Sequence, residues 1–460
     1  MATWRPKLSA SRSTPIYRRL VAAMAQDIET GRLAAGDRLP PQRDLAYALS
    51  ISVGAVTRAY DDAAQRGLVA AHVGRGTFVV DRSQGDAVPD GLIDLTINTA
   101  PIAPMDAMVE TVAALRRQTA WQQRLDYQPP CGLDVDRRAG AAWLGRTARF
   151  DDLDWRRLIC CSGTQNAMAL ALAALCKPDD TVLCDAATFP GIKALAAQQG
   201  YRLVAVDMDA QGARPASLDR AAAASGARVF YTLPTLQNPT ARVMSRERRD
   251  DIVKIARARD LWIVEDDVYA PYAQHLGVSP LAVLAPERTV YVSSLSKILS
   301  PGLRTGFLVA PAGDVFDRCL RALRALMHSP AGLGAAVATD WIESGRADDL
   351  ARAVRTETSA RTAMALAALD GVVDKPATAM SLHLWLPMRA LDAERTVARA
   401  LTAGVRLTPP AAFAVAESKM ASGVRLCIGS AVNQATLKRA LSIVKSALGG
   451  EVDDQVSASL

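Results

Sequence analysis

The residue with the clearest chemical potential is Lys297, in Ser294-Leu295-Ser296-Lys297, between the strand-like run Thr289 to Val292 and a loop ending Pro301-Gly302-Leu303-Arg304. A lysine forms an imine only where its amine is partly desolvated and so kept nucleophilic. Here hydroxyls precede it and an arginine follows seven residues later. The chain has nine lysines against 45 arginines, so arginine is its ordinary surface cation and lysine the exception. Read alone, the tetrapeptide fits a solvated loop equally well.

Other segments carry residue types that would serve such an amine. Leu158-Ile159-Cys160-Cys161-Ser162-Gly163-Thr164-Gln165 reads as a strand that breaks at glycine into a helix over Asn166 to Leu175. That turn aims backbone N–H groups and a helix N-terminus at one point, as phosphate sites do, although it also occurs with no ligand. Val229 to Thr232 reads as a strand ending in the polar, proline-stiffened loop Leu233 to Thr240. Leu261 to Val264 runs into Glu265-Asp266-Asp267-Val268-Tyr269. Three acids directly after a buried strand repel one another and resist burial unless a cation lies nearby; the alternative is an exposed acidic loop. Arg425, in Gly423-Val424-Arg425-Leu426-Cys427, lies within an apolar strand without a local acid, which suggests a carboxylate partner.

The elements that must position these groups follow from pattern. From residue 92 apolar strand runs alternate with alanine-rich helices, the signature of an α/β fold with a mainly parallel sheet. At 460 residues, half of them hydrophobic, the chain should hold two or three units. No run of about 18 uncharged apolar residues occurs and the N-terminus lacks the apolar segment of a signal peptide, so a cytoplasmic protein without membrane contact is expected. Seven cysteines, with Cys160 and Cys161 adjacent and no C-x-x-C, argue against a disulfide framework or zinc site, and the four histidines are scattered. No metal is expected.

Charge is unevenly spread. The net charge is +7, but residues 1 to 82 hold 12 Lys+Arg against 7 Asp+Glu, so most of the surplus sits in the N-terminal fifth. A basic small unit on a nearly neutral large one suggests nucleic-acid binding by the first. Thr14-Pro15 offers an N-cap and a first-turn proline, after which Ile16, Leu20, Met24 and Ile28 recur every four residues. A second helix opens at Leu39-Pro40-Pro41-Gln42-Arg43 and runs through Leu49, and a third runs from about Val53 through Gln65. Two short helices so joined form a helix-turn-helix, whose second helix can enter a major groove. Leu68 to Val80 reads as a β-hairpin wing around a glycine-flanked arginine. Residues 82–91, with Gly, Pro and Asp and no apolar periodicity, read as a linker spanning at most about 35 Å.

The motifs P-I-Y-x-x-L, G-x-L-x-x-G-D-x-L-P-x-x-R-x-L-A, V-T-R-A-Y and G-x-G-T-F-V, covering residues 15 to 80, resemble the DNA-binding domain of the GntR family. The resemblance implies double-stranded DNA as a partner, with Arg43, Ser52, Gly54, Thr57, Arg58, Gly74 and Arg75 as contacts. Gly-Thr-Gln after a strand, Q-N-P-T, D-D-V-Y, S-x-S-K and P-G-L-R-T-G occur in the order and approximate spacing of fold-type I aminotransferases. That resemblance implies pyridoxal 5'-phosphate (PLP) as cofactor and Lys297 as its Schiff-base lysine. Asp266 would pair with the pyridine nitrogen, Asn238 and Tyr269 would hydrogen-bond the ring's 3-oxygen, and Phe189 would stack on the ring. Gly163, Thr164, Gln165, Ser294 and Arg304 would bind the phosphate, Tyr127 would reach a partner subunit's phosphate, and Arg425 would take the α-carboxylate of a substrate or effector. Asp136 departs from the family pattern, which usually has an apolar residue there.

A winged helix-turn-helix fused to a fold-type I aminotransferase-like body resembles the MocR subfamily of GntR-type transcriptional regulators. The expected domains are 12–81 for the head, 82–91 for the linker and 92–450 for the PLP-binding body, with a smaller lobe at about 330–450. The resemblance implies a head-to-tail homodimer that binds repeated DNA half-sites and senses an amino compound. Two other readings stay open: a working aminotransferase with an incidental head, and a binding protein whose body has lost PLP.

Overall fold

The computed structural model describes residues 4–6, 15–34, 36–65, 68–72, 76–79, 91–117, 121–415 and 422–449. The chain divides into two compact units, Met1–Gly91 and Leu92–Leu460. The expected linker lies almost wholly outside the described residues, and so do Gly74 and Arg75.

In the first unit, α1 (Ile16–Glu29), α2 (Gln42–Leu49) and α3 (Val53–Gln65) are followed by an antiparallel hairpin of β1 (Val69–His72) and β2 (Gly76–Val79). The four-residue apolar recurrence buries Leu20 and Met24 against Leu45, Val56, Ala59 and Leu68. The helix start differs from expectation. Pro15 occupies the cap position of α1 with no side-chain cap, and Thr14 lies outside the described residues. Ser50 adopts a left-handed conformation (φ 52°) that turns α2 sharply into α3, and the Tyr60 hydroxyl donates to the Pro40 carbonyl at 2.8 Å, fixing α3 against the entry to α2.

The second unit is built on a seven-stranded sheet: β3 (Leu158–Cys161), β4 (Thr181–Asp185), β5 (Arg202–Val206), β6 (Val229–Thr232), β7 (Trp262–Asp266), β8 (Thr289–Ser294) and β9 (Gly306–Val309). The spatial order is β3-β9-β8-β7-β6-β4-β5, with only β9 antiparallel to its neighbours. Strands β6, β8 and β9 are buried throughout, because helices cover both faces of a parallel sheet and every side chain must then be core.

A smaller lobe has its own core. It pairs β10 (His383–Pro387) antiparallel with β11 (Gly423–Cys427), under the helices Arg346–Ala368, Ala390–Thr402 and Gln434–Leu448. Its composition departs from a lobe of about 330–450. The short strand Ile93–Asp94, from the start of the unit, pairs parallel with Val405–Arg406 and joins this core. The helix Gly332–Glu343 packs instead in the main core, where Trp341 is fully buried and donates its indole N–H to Thr111.

Gly334, in that helix, lies so close to the Leu303 carbonyl that an added Cβ would overlap it. Leu303 leads directly into Arg304, so this contact seats the loop that follows Lys297. Gly334→Ala is expected to lower unfolding stability by about 2–4 kcal/mol through backbone displacement. Denaturant unfolding checks this, and a loss under about 0.5 kcal/mol would show that the contact is soft.

Candidate functional site

One cavity of about 490 Å³ gathers most of the residues singled out in the body. Its lining includes Thr164, Gln165, Phe189, Asn238, Asp266, Tyr269, Ser294, Lys297, Arg304 and Arg425. The cavity lies at the carboxyl ends of β3, β7 and β8, where the strands of an α/β sheet release the chain into loops.

Alternation along β7 resolves the three-acid problem. Successive side chains of a strand point to opposite faces. Glu265 is paired with buried Arg249 at 3.3 Å and accepts the backbone N–H groups of Leu281 and Ala282. Asp267 accepts from the Tyr291 hydroxyl at 3.3 Å and feels the same Arg249. Burial pushes both carboxyls up and Arg249 counters it. Thus a protein arginine supplies the cation for two of the acids, where the sequence suggested one cation for the whole cluster. Only Asp266 faces the cavity. Its Oδ2 accepts from the Tyr231 hydroxyl at 3.0 Å, while Oδ1 is buried with no partner among the described residues. Burial pushes Asp266 up to about 7.

Lys297 ends a 3-10 turn that follows β8, and its Nζ donates to the Asn98 carbonyl. Burial, reinforced by Arg425 and Arg304, moves it below the ordinary lysine range, which raises the neutral nucleophilic fraction. At the other end, the helix Thr164–Leu175 begins after Gly163 (φ 88°). A side chain at Gly163 would meet Arg304 Nη2 at 2.9 Å, so glycine admits the guanidinium to the helix start. Arg304 donates to the Ser162 carbonyl at 2.8 Å, and the Ser162 and Thr164 hydroxyls are buried without partners. Gln165 donates to the Gly191 carbonyl beside the Phe189 ring, so its side chain braces that ring.

Arg425 is buried and faces no carboxylate among the described residues. Its guanidinium donates to Asn238 Oδ1 at 2.8 Å, Thr408 Oγ1 at 3.3 Å and the Thr96 carbonyl, lies 4.8 Å from the Phe413 ring centroid, and leaves Nε unpartnered. Because Asn238 accepts through Oδ1, its Nδ2 is left to donate. Tyr127 stands apart. It is 81% exposed, packs edge-on to His328 at 4.9 Å and does not line this cavity. Asp136 is compensated where it departs from the family pattern: it is buried, paired with Arg124 and hydrogen-bonded by Thr339 at 2.6 Å.

Several residues at the site escaped sequence reasoning. Asn98, Tyr231, Arg249, Thr408 and His383 lie far from Lys297 in sequence and carried no motif, while Ser296 sat inside the S-x-S-K motif without a role assigned to it. Only the wholly buried positions of Tyr231 and His383, in strand-like runs, hinted at a partner for their polar groups.

In the first unit, Arg43 on α2 and Ser52, Gly54 and Arg58 on or next to α3 are exposed. Ser52 Oγ accepts the Ala55 N–H at 3.3 Å at the start of α3, and Thr57 donates to Gln42 at 2.7 Å, tying α3 to α2.

The aminotransferase class I and II model matches residues 90–444. The chain belongs to that family. Residues 16–79 match the bacterial regulatory proteins of the gntR family, so the family body carries a GntR helix-turn-helix head. The uncharacterized HTH-type transcriptional regulator YdeF of Bacillus subtilis is 30% identical over 319 residues, 67% of each chain. The HTH-type pyridoxine biosynthesis transcriptional regulator PdxR of Corynebacterium glutamicum is 25% identical over 343 residues, 71% of this chain and 72% of that one. Among solved structures, the kynurenine aminotransferase of Pyrococcus horikoshii, in complex with PMP, superposes with a TM-score of 0.70 at 22% identity. That match covers 80% of this chain and 92% of the other and supports the fold. This two-part organisation is that of MocR-type regulators.

The family's cofactor is PLP, and the donors and acceptors of the cavity fit it. The orphan Asp266 Oδ1 suits a protonated pyridine nitrogen, and the orphan hydroxyls of Ser162 and Thr164 beside Arg304 suit a phosphate. A buried acid lifted to about 7 loses stability as pH rises from its unfolded value near 3.8 and has lost it all above about 7. Asp266→Asn is therefore expected to stabilise the PLP-free protein, by a margin that grows about 2–3 kcal/mol from pH 5 to pH 8. It should also weaken PLP binding. Unfolding of the two apo-proteins at both pH values checks this; a pH-independent difference would contradict it.

Proposed function

We propose that this protein is a PLP-dependent transcriptional regulator that senses an amino compound through the Lys297 cavity. What carries the reading is the joining, in one chain, of a GntR head with a cavity presenting Lys297, Asp266, Asn238 and Arg425 together. PLP, when bound, supplies a carbonyl carbon for imine chemistry and a ring that draws electron density. The chain's own groups set the conditions. Lys297 offers an amine whose neutral fraction burial raises, Asp266 holds a negative charge for the ring nitrogen, and Asn238 Nδ2 and Tyr269 present donors for the 3-oxygen. Phe189 covers the ring face. Gly163, Thr164, Gln165, Ser294 and Arg304 form the phosphate end, and Arg425 awaits a carboxylate.

A route from cavity to head is supported by chain continuity. The Thr96 and Asn98 carbonyls accept from Arg425 and Lys297, and both belong to the segment that begins the body immediately after the head. An effector that claims those donors loosens that segment and shifts a population between two arrangements, provided it binds them unequally. Arg43, Ser52, Gly54, Thr57 and Arg58, with Gly74 and Arg75 outside the described residues, are the proposed contacts to double-stranded DNA. A head-to-tail homodimer on repeated half-sites gives exposed Tyr127 its role at a partner's phosphate. We place the head at 12–81, the linker at 82–91 and the PLP-binding body at 92–450, in the cytoplasm; no described helix is long and apolar enough to cross a membrane.

A second reading, an aminotransferase acting on an amino acid, draws on the presence of Lys297, Asp266 and Arg425 in one cavity. Conversion of bound PLP to pyridoxamine phosphate by an amino acid, reversed by an oxo acid, would favour it.

Lys297→Ala is expected to remove the visible absorbance that borohydride bleaches and to abolish the effector response, while basal DNA affinity stays within about threefold. Gel-shift titration with DNA upstream of the protein's own gene checks this, and loss of all DNA binding by a folded Lys297→Ala protein would count against the division of labour. Arg58→Ala should weaken that DNA complex by about 1–3 kcal/mol if the arginine forks onto a base edge. An unchanged affinity would leave Arg58 a solvated charge.

A further inference from the structure

His383 is wholly buried in β10, and its two ring nitrogens face different partners: Nε2 lies 3.0 Å from the Gln237 carbonyl and Nδ1 lies 2.8 Å from Asn98 Nδ2. A carbonyl only accepts, so Nε2 must carry a proton. Burial, with Arg425 and Lys297 nearby, drives His383 down to about 3, so the ring is neutral and Nδ1 is a bare acceptor. Asn98 therefore turns its Nδ2 towards the histidine, and the same Nδ2 donates its other proton to the Tyr269 hydroxyl at 2.8 Å. The opposite orientation of the Asn98 amide would set its oxygen against the lone pair of Nδ1. Once Tyr269 accepts from Asn98, its own proton is left to point elsewhere, and Tyr269 lines the cavity. The His383 ring also packs on the Tyr269 ring at 5.3 Å between centroids, which limits the tyrosine's rotation.

We propose that Asn98 and His383 form a relay, Gln237 carbonyl to His383 to Asn98 to Tyr269, that fixes the Tyr269 hydroxyl as a hydrogen-bond donor into the cavity. His383 is a positioning residue: it does not line the cavity and acts through Asn98. Asn98 lines the cavity itself and holds the relay to Lys297 through its backbone carbonyl. The relay rests on the reading of the cavity as the PLP site, where a donor from Tyr269 meets the cofactor's 3-oxygen and favours its ionised form.

The test is the pH titration of the visible absorbance of the PLP-loaded full-length protein, in wild type and in Asn98→Ala, His383→Leu and His383→Gln. Asp266, Lys297, Arg304 and Arg425 are the charged groups lining the cavity, from β7, the turn after β8, the loop before β9 and β11, and all are unchanged in these variants. Losing the relay should move the midpoint of the absorbance change upwards by about one pH unit in Asn98→Ala and His383→Leu. Glutamine can accept from Asn98 through its oxygen and donate to Gln237 through its nitrogen, so His383→Gln should return the midpoint to within about 0.3 of wild type. Thermal unfolding of each variant identifies any that fail to fold. An unmoved midpoint in folded His383→Leu, or a His383→Gln that behaves like His383→Leu, overturns the relay. Should wild type itself take up no PLP, the functional reading falls and the relay falls with it; PLP uptake with an unmoved midpoint sinks the relay alone.

Discussion

A carboxylate buried at the end of β7 is the interaction on which the rest of the body depends. An ionised acid in a low-dielectric interior is tolerated only where charge or hydrogen bonds answer it. Three successive acids appear to multiply the difficulty, but the pleat divides them. Arg249, the Tyr291 hydroxyl and the backbone N–H groups of Leu281 and Ala282 take up Glu265 and Asp267 behind the sheet. Asp266 and Asp267 each keep one buried oxygen without a hydrogen-bond partner among the described residues, but of the two only Asp266 lines the cavity. An unpartnered acid oxygen that lines a cavity is a stability cost of the kind found where a site is built for a ligand rather than for packing.

The cations of the cavity show the same design with the sign reversed. Lys297 and Arg425 are both met by neutral acceptors: the Asn98 carbonyl for the first, and Asn238, Thr408 and the Thr96 carbonyl for the second. Neutral acceptors satisfy hydrogen bonds without neutralising charge. Among the described residues no carboxylate pairs with Arg425, so its charge is left over in the fold.

How far this was legible in the chain depended on the kind of signal. Helices α1 to α3, the hairpin and the strands read at Leu158, Val229, Leu261 and Thr289 follow from apolar period and glycine placement, which are local, and those strands lie within a residue or two of where the pattern put them, whereas β9 carried no such reading. The cavity-lining residues that sat in motifs, from Thr164 to Arg304, were legible because they lie in the turns and loops that follow strands. Arg249, His383 and Asn98 were not, since their meaning lies in contacts across 16 to 285 residues of chain. The division of the acids between two faces was implicit in the period of two, yet Arg249 sits on a helix whose charged sequence, Arg246–Ala258, reads as a solvated face. The lobe boundary was missed for a related reason: Ile93–Asp94 joins a core whose other members begin more than 250 residues later.

That early strand gives the body an unusual wiring. Backbone N–H groups of Ile93 and Leu95 donate to Gly404 and Arg406 in the small lobe, whereas Asn98, a few residues on, is held by Lys297 and by Tyr269 beyond the carboxyl ends of the interior strands β8 and β7. The segment thus crosses from one core to the other over the cavity, and it is also the stretch through which the body is covalently joined to the head. Between those two anchorages, the Thr96 and Asn98 carbonyls accept from Arg425 and Lys297, so both cations of the cavity hold this one segment. In chain order, the residues that line the cavity from this side are among the first of the second unit.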